Sequence, residues 1–408
     1  MTTTTGPATA ADSFARHLTT PASAAEGQPW TAQSLAVGAA GTALFHIERA
    51  HTGNGTWQQA HTWIKSAVAN DISAADTSGL YLGVPAVAFM LSCATTTDSG
   101  RYHDVLATMD RYVTDLVHRR ADAAGTRVRS GRRPTFHEYD VFYGMTGIGA
   151  YLLRRAPAGN AMERVLSYLV ALTWPTRDND RVELPGWWVG HDPHLTQSEQ
   201  FPGGHANLGA AHGITGPLLL LARALREGVT VDGHQDAIDT ILGWLDEWRQ
   251  DGPSGPWWPE HLHLGDLHAG APSQTGPARP SWCYGTPGIA RAGQLAAIAR
   301  HDTVRRHMYE DALARCLTDP GQLLTIADAG LCHGWAGIYQ TAWRAAHDAA
   351  TPALRAALPH LAAALVRHAR PGPDPGFLQG DAGTALALTT AAHDTAPTSG
   401  WDACLLID

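Results

Sequence analysis

Apolar residues along this chain fall into two kinds of run that alternate. The first kind is apolar nearly all round. In Gly213 to Ala224 four consecutive leucines stand among Ala, Ile and Pro, with Arg223 as the one charge. Such a run predicts a helix buried on every side. The second kind is amphipathic. From Gln235 to Gln250, Ile238, Ile241, Leu242, Leu245 and Trp248 recur at helical spacing, with Asp236, Asp239, Asp246 and Glu247 between them. Thr303 to Leu317 follows the same rule. So does Leu361 to His368, where Pro359 just ahead marks a helix start or kink.

Each all-apolar run opens with Gly-x-x-Gly or Gly-x-x-Ala. The signature begins at Gly38, Gly83, Gly144, Gly213, Gly285, Gly334 and Gly380, at intervals of 45 to 72 residues. Regular self-similarity of this kind predicts a repeat architecture. Each repeat supplies one inner and one outer helix, and the paired glycines let an inner helix start close to neighbouring backbone. The expected fold is all-α: an α/α toroid of seven inner and seven outer helices, forming one domain over residues 1–408 with the inner N-termini at one mouth. An open solenoid would use the same hairpins; the lack of a polar capping repeat favours closure. Three spacers read as long loops over that mouth: Ala121 to Asp140, Trp174 to His212 and Gly252 to Cys283.

Bulk properties narrow the function. Apolar residues make up 44% and charged residues 16% of the chain, which excludes general disorder. The net charge of −9 argues against a general nucleic-acid binder. Met1 to Gly6 carries neither a charged nor an apolar signal region, and no apolar run reaches spanning length. A soluble cytoplasmic protein is expected. The five cysteines, an odd count, do not suggest a disulfide framework. Cys93 and Cys316 lie in apolar helical stretches and read as core residues; Cys404 has no assigned role.

The other two cysteines carry chemistry. Aligned on the first glycine, Cys283 and Cys332 both fall two residues ahead of it, in repeats five and six. His333 and His212 fall one residue ahead, in repeats six and four, and Tyr284 and Tyr143 share that position in repeats five and three. Equivalent positions in neighbouring repeats lie side by side. Two thiolates and an imidazole at Cys283, Cys332 and His333 therefore form a soft set suited to one Zn²⁺, with a fourth position open for water or a substrate thiolate. Such an open position marks catalytic zinc. His212 reads as a general acid or base beside the metal, or as a core histidine at a helix end. From spacing alone, Asp140 is equally a helix cap and Arg279 a solvated loop charge. His261-x-His263 with His268 reads as a polar loop, with nothing else gathered around it. The run from Arg119 to Arg133 reads as a solvated loop face, and Trp187-Trp188 and Trp257-Trp258 as either a groove floor or loop anchors.

At these residues the chain resembles the lanthionine cyclases, the LanC-like family. The resemblance rests on Trp282-Cys283-Tyr284-Gly285-Thr286-Pro287-Gly288, on Cys332-His333-Gly334 and on Ala211-His212-Gly213, approached through Phe201-Pro202-Gly203-Gly204 and Asn207-Leu208-Gly209. It extends over all seven repeats, departing in repeat two, where Ala86 replaces the second glycine. The family implies an α/α toroid with zinc on Cys283, Cys332 and His333, and catalytic roles for His212, Asp140, Arg279 and Tyr284. It implies addition of a peptide Cys thiolate to dehydroalanine or dehydrobutyrine, giving a thioether ring. The substrate would be a dehydrated precursor peptide of leader and core, and a dehydratase and an exporter would be partners. Three other readings compete. A protein prenyltransferase-like enzyme would want an Asp among its ligands. A LanC-like protein could add glutathione or merely bind peptides. A glycosidase would need paired carboxylates, for which Asp140 and Glu260 are the candidates.

Overall fold

The computed structural model describes residues 6–21, 28, 30–96, 100–177 and 183–408. Met1 to Thr5, read above for a signal, lie outside the described residues. The described chain is mostly helical, with three short two-stranded sheets. It divides into two compact units. One comprises 1–113, 324–406 and Asp408; the other comprises 114–323 and Ile407. The helix His103–Arg129 carries the chain from the first unit into the second.

The first unit holds repeats one, two, six and seven. Its inner helices are Ala39–His51, Val84–Ala94, Trp335–Asp348 and Asp381–His393. All four are buried through most of their length, as their unbroken apolar runs require. Trp57–Ala67 packs on the first inner helix and Ala353–His368 on the sixth, as expected of outer helices. The seventh pair departs from expectation. No long helix follows Asp381–His393; the helix that packs along it is Pro7–His17, from the other end of the chain. Pro359 sits inside Ala353–His368 rather than at its start.

The second unit holds repeats three to five. Inner helices Met145–Arg155, Thr215–Arg226 and Thr286–Ala299 pack with outer helices Asn160–Leu172, His234–Glu247 and Thr303–Thr318. In the fourth outer helix Ile238, Ile241, Leu242 and Leu245 are all buried, so the predicted stripe is the packed face.

The segments that enter the inner helices are tied to one another. In the first unit Cys332 N–H donates to Leu378 O (2.8 Å), Leu378 N–H to Ala36 O (3.0 Å) and Leu35 N–H to Tyr81 O (3.1 Å), linking repeats six, seven, one and two in that order. In the second, Val141 N–H donates to Ala211 O (3.1 Å) and Ala210 N–H to Cys283 O (2.9 Å), linking three, four and five. These bonds satisfy entry-loop backbone that burial would otherwise leave unpaired.

The second glycine of the signature has a steric reason. At Gly337 an added Cβ would overlap the carbonyl oxygen of Leu331, six residues earlier; at Gly288 it would overlap that of Trp282. The chain folds back onto the first helical turn so closely that only hydrogen fits. Gly337→Ala is expected to cost at least about 3 kcal/mol, because backbone rather than a movable side chain must yield. Thermal melting of the purified variant checks this; an unchanged midpoint would contradict it.

Ala121 to Asp140 was expected as a loop, but residues 121–129 continue a helix and Phe136–Tyr139 forms another turn. Leu106, Val113, Leu116, Val117 and Ala124 give that long helix its buried stripe, which the surrounding arginines obscured. Those arginines are tethered rather than freely solvated. Arg127 is nearly buried and pairs with Glu138 at 2.5 Å, Arg133 donates to Gly203 O, and Arg120 donates to Tyr143 O at 2.7 Å. The tryptophan pairs anchor their loops. All four rings are buried; Trp188 Nε1–H donates to Gly203 O and Trp258 Nε1–H to Leu245 O. Cys93 and Cys316 are buried core residues, and none of the five cysteines is in a disulfide.

Candidate functional site

In the second unit, Asp140 ends the short helix Phe136–Tyr139 and has no solvent exposure. Its Oδ1 accepts the N–H groups of Tyr143 (2.6 Å) and Gly144 (2.8 Å), so it caps the entry to the third inner helix. Its Oδ2 accepts from His212 Nδ1 at 2.6 Å. The cap read from spacing is thus present, and the same carboxylate also bonds His212. A buried carboxylate on Nδ1 fixes the imidazole's tautomer and leaves Nε2 to do proton chemistry. The rings of Phe136 and Tyr143 stack on His212 with centroids at 5.4 and 6.0 Å, and Phe142 lies at 5.0 Å. The imidazole retains 23% side-chain exposure, so it remains reachable.

The His212 loop hangs on repeat five. Cys283 O accepts from Ala210 N–H and, at 3.4 Å, from Ala211 N–H. Cys283 itself is 6% exposed, with Ser281 Oγ 3.4 Å from its sulfur. Next to it the Tyr284 phenol receives a hydrogen bond from Asn207 Nδ2 (2.8 Å), and burial pushes its pKa well up, so it stays an O–H group. Arg279 is exposed. Burial raises the Glu260 carboxyl above its usual range, and the positive charge of Arg279 opposes that shift.

In the first unit, His333 Nδ1–H donates to Asp328 Oδ2 at 2.9 Å. Its Nε2 faces the Gln379 amide at 3.4 Å. Cys332 is partly exposed.

Asn207 and Asp328 were not singled out in the sequence, yet they occupy one repeat position, six residues ahead of the first glycine. Asn207 Oδ1 accepts from Gly209 N–H (2.9 Å), and Asp328 Oδ1 from Gly330 N–H (2.9 Å). Asp374 does the same with Gly376 (2.8 Å) in repeat seven. The shared signal is Asn/Asp-x-Gly, a side-chain turn that shapes the loop before an inner helix. In repeats four and six its second arm reaches a candidate site residue, Tyr284 in one and His333 in the other.

The model of the family described as lanthionine synthetase C-like protein matches residues 29–406. The chain belongs to this family. The nisin biosynthesis protein NisC of Lactococcus lactis subsp. lactis is 24% identical over 270 residues, covering 65% of this chain and 61% of that protein. The match therefore spans less than two thirds of that relative's length. A solved structure of nisin cyclase aligns with a TM-score of 0.80 at 21% identity, over 93% of each chain. That likeness shows the fold class, the all-α α/α toroid.

Cys283 belongs to the second unit of this LanC-like chain, and Cys332 and His333 to the first. Among the described residues, no three His, Cys, Asp or Glu side chains are grouped to hold a metal. The donor chemistry suits the ion. Two thiols and an imidazole are zinc ligands by type, and the Asp328 contact on Nδ1 is the outer support that a ligating histidine ordinarily has.

The His261 segment is not an isolated polar loop. His261–His263 forms a strand paired antiparallel with His205–Asn207, placing His205 opposite His263 and Asn207 opposite His261. The His205 and His261 rings lie 5.2 Å apart, with Phe201 4.8 Å from His205. His268 is exposed and stays outside the cluster. Histidines 56 residues apart meet here through strand pairing, which no local pattern reveals. Burial lowers the pKa of His205 to about 3 and of His261 to about 4. Both are neutral in the folded chain, whereas unfolding frees them to titrate near 6.5. Stability is therefore complete above about pH 6.5 and falls as protons are offered to the unfolded chain below it, down to about pH 4 for His261 and about pH 3 for His205. A loss of about 1–3 kcal/mol is expected between pH 7.5 and 5.5. Melting curves across that range check it; His205→Gln should flatten the slope by one group.

Among the described residues no helix is long and apolar enough to cross a membrane.

Proposed function

We propose that this chain is a lanthionine cyclase acting on a dehydrated precursor peptide with leader and core segments. One observation carries the reading. The buried Asp140–His212 pair sits on a loop whose backbone is bonded to Cys283, so a proton-handling imidazole is held beside a candidate metal-binding sulfur. Family membership supports it independently.

Bound at Cys283, Cys332 and His333, zinc supplies a Lewis acid that keeps a peptide thiol in its thiolate form at neutral pH. His212 holds the proton that the thiol gives up, with Asp140 steadying the imidazolium. The peptide sulfur then bonds to the β-carbon of a dehydroalanine or dehydrobutyrine. The carbon–carbon π pair moves onto the carbonyl oxygen as an enolate. His212 returns the proton to the α-carbon and restores the carbonyl. Nothing is oxidised or reduced, and the peptide's mass is unchanged. Tyr284 and Arg279 face the transient oxygen charge, one with an O–H group and one with a guanidinium. A dehydratase must provide the unsaturated residues, and five cysteines outside any disulfide suit a reducing cytoplasm.

The test is mass spectrometry of a dehydrated peptide after thiol alkylation, with and without the protein. Ring closure is expected to remove alkylatable thiols at constant mass. Retention of every thiol would sink the reading. If glutathione is supplied, a gain of its mass would point instead to addition of an external thiol.

A further inference from the structure

Asn207 is fully buried, and both ends of its side-chain amide are engaged. Its Oδ1 accepts the Gly209 N–H at 2.9 Å. That bond settles which way the amide faces: a carbonyl oxygen must point at a backbone N–H, so the NH₂ group points at Tyr284 Oη, 2.8 Å away. The backbone is equally fixed. Asn207 pairs with His261 across the two strands, and its own carbonyl accepts the Ile214 N–H at 2.9 Å, just past His212. The Tyr284 ring has little freedom. A Cβ on Gly209 would stand 2.7 Å from its edge, and the His261 ring lies 5.7 Å from its centroid.

A phenol oxygen has one proton and two lone pairs. With an N–H donor on one lone pair, the phenolic proton must turn away from Asn207. Resting on the proposed cyclase function, we propose that Asn207 is a positioning residue that sets the polarity of Tyr284. It holds the hydroxyl as a hydrogen-bond donor toward the carbonyl oxygen of the dehydro residue, where charge gathers as the carbon–sulfur bond forms. The same amide shapes the loop that carries His212, so one side chain aligns the oxyanion donor with the proton carrier.

An aspartate at this position has nearly the same shape and still accepts from Gly209, but its other oxygen accepts instead of donating. It would turn the Tyr284 proton toward itself and away from substrate. Wild type, Asn207→Asp, Tyr284→Phe and the double variant are compared by ring closure on one dehydrated peptide, with zinc content and melting midpoint measured for each. For Asn207→Asp kcat is expected to fall on the order of 10²- to 10³-fold with KM little changed, the scale of one lost oxyanion donor. The double variant should be no slower than Tyr284→Phe alone, because the amide acts through the phenol. Should the aspartate fail to fold, Asn207→Ala in both backgrounds takes its place; it also removes the Gly209 bond, so kcat is expected to fall in both backgrounds but by a larger factor where Tyr284 is present, and equal factors would count against the proposal. A wild-type kcat in a folded Asn207→Asp protein, or losses that multiply in the double variant, would overturn the proposal while leaving the cyclase reading intact. A wild-type protein that closes no ring would remove both.

Discussion

Cys332→Ala protein is expected to purify without zinc and to close no rings above background. Removing one thiolate from a three-residue set leaves two donors, too few to retain the ion against solvent. Without it a peptide thiol near neutral pH is mostly protonated and a poor nucleophile. The Lewis-acid contribution amounts to several kcal/mol, so the rate should fall by at least ~10³-fold. Metal analysis and the alkylation assay read the two losses separately. Cys283→Ala should behave alike. Cys93→Ala, which removes a buried sulfur with no place in the proposed site, should keep zinc and rate even if the melting point drops. Zinc-free Cys332→Ala protein that cyclises at the wild-type rate would end the metal-dependent account.

The second large effect concerns the pair behind the proton transfer. His212→Asn should lower kcat by ~10²–10⁴-fold, the usual worth of a positioned acid or base, with zinc content unchanged. Asp140→Asn separates support from chemistry. An asparagine can still cap Tyr143 and Gly144 through its oxygen, so the third inner helix should start normally. Its NH₂ group would then face His212 Nδ1 and drive the imidazole to the tautomer that carries its proton on Nε2. Steady-state rates should fall by at least ~10²-fold without a matching fall in melting temperature. Equal activity in Asp140→Asn and wild type would remove Asp140 from the mechanism. Asp140→Ala is the poorer probe, since it also strips the cap from two buried N–H groups.

Much of this was legible in the chain itself. The seven Gly-x-x-Gly or Gly-x-x-Ala openings located every inner helix, because a close backbone approach such as that at Gly288 and Gly337 admits only a very small residue. The amphipathic outer helices were readable wherever charges alternated with Ile and Leu, as in Gln235 to Gln250. Legibility failed where function or packing depends on residues remote in sequence. Asp140 looked like a cap, and it is one; the proposed second role rests on its other oxygen, turned to His212. Asn207 and Asp328 carried a weak local signal, Asn/Asp-x-Gly, whose far arm lands on Tyr284 in one repeat and His333 in another. The helix through residues 121–129 was hidden by arginines whose partners, Glu138 and Gly203 O, lie in other segments. The histidine cluster was hidden because strand pairing brings His205 to His263.

One feature of the fold bears on how the molecule is made. Its first unit joins 1–113 to 324–406, and Pro7–His17 lies along Asp381–His393. During synthesis the second unit, nearly unbroken from 114 to 323, emerges whole and can settle at once. The earlier-made half of the first must meanwhile wait on the ribosome with the apolar face of Pro7–His17 uncovered, until more than two hundred further residues have been translated. That delay is a window for chaperone binding, and it makes the amino-terminal helix the last piece to find its place.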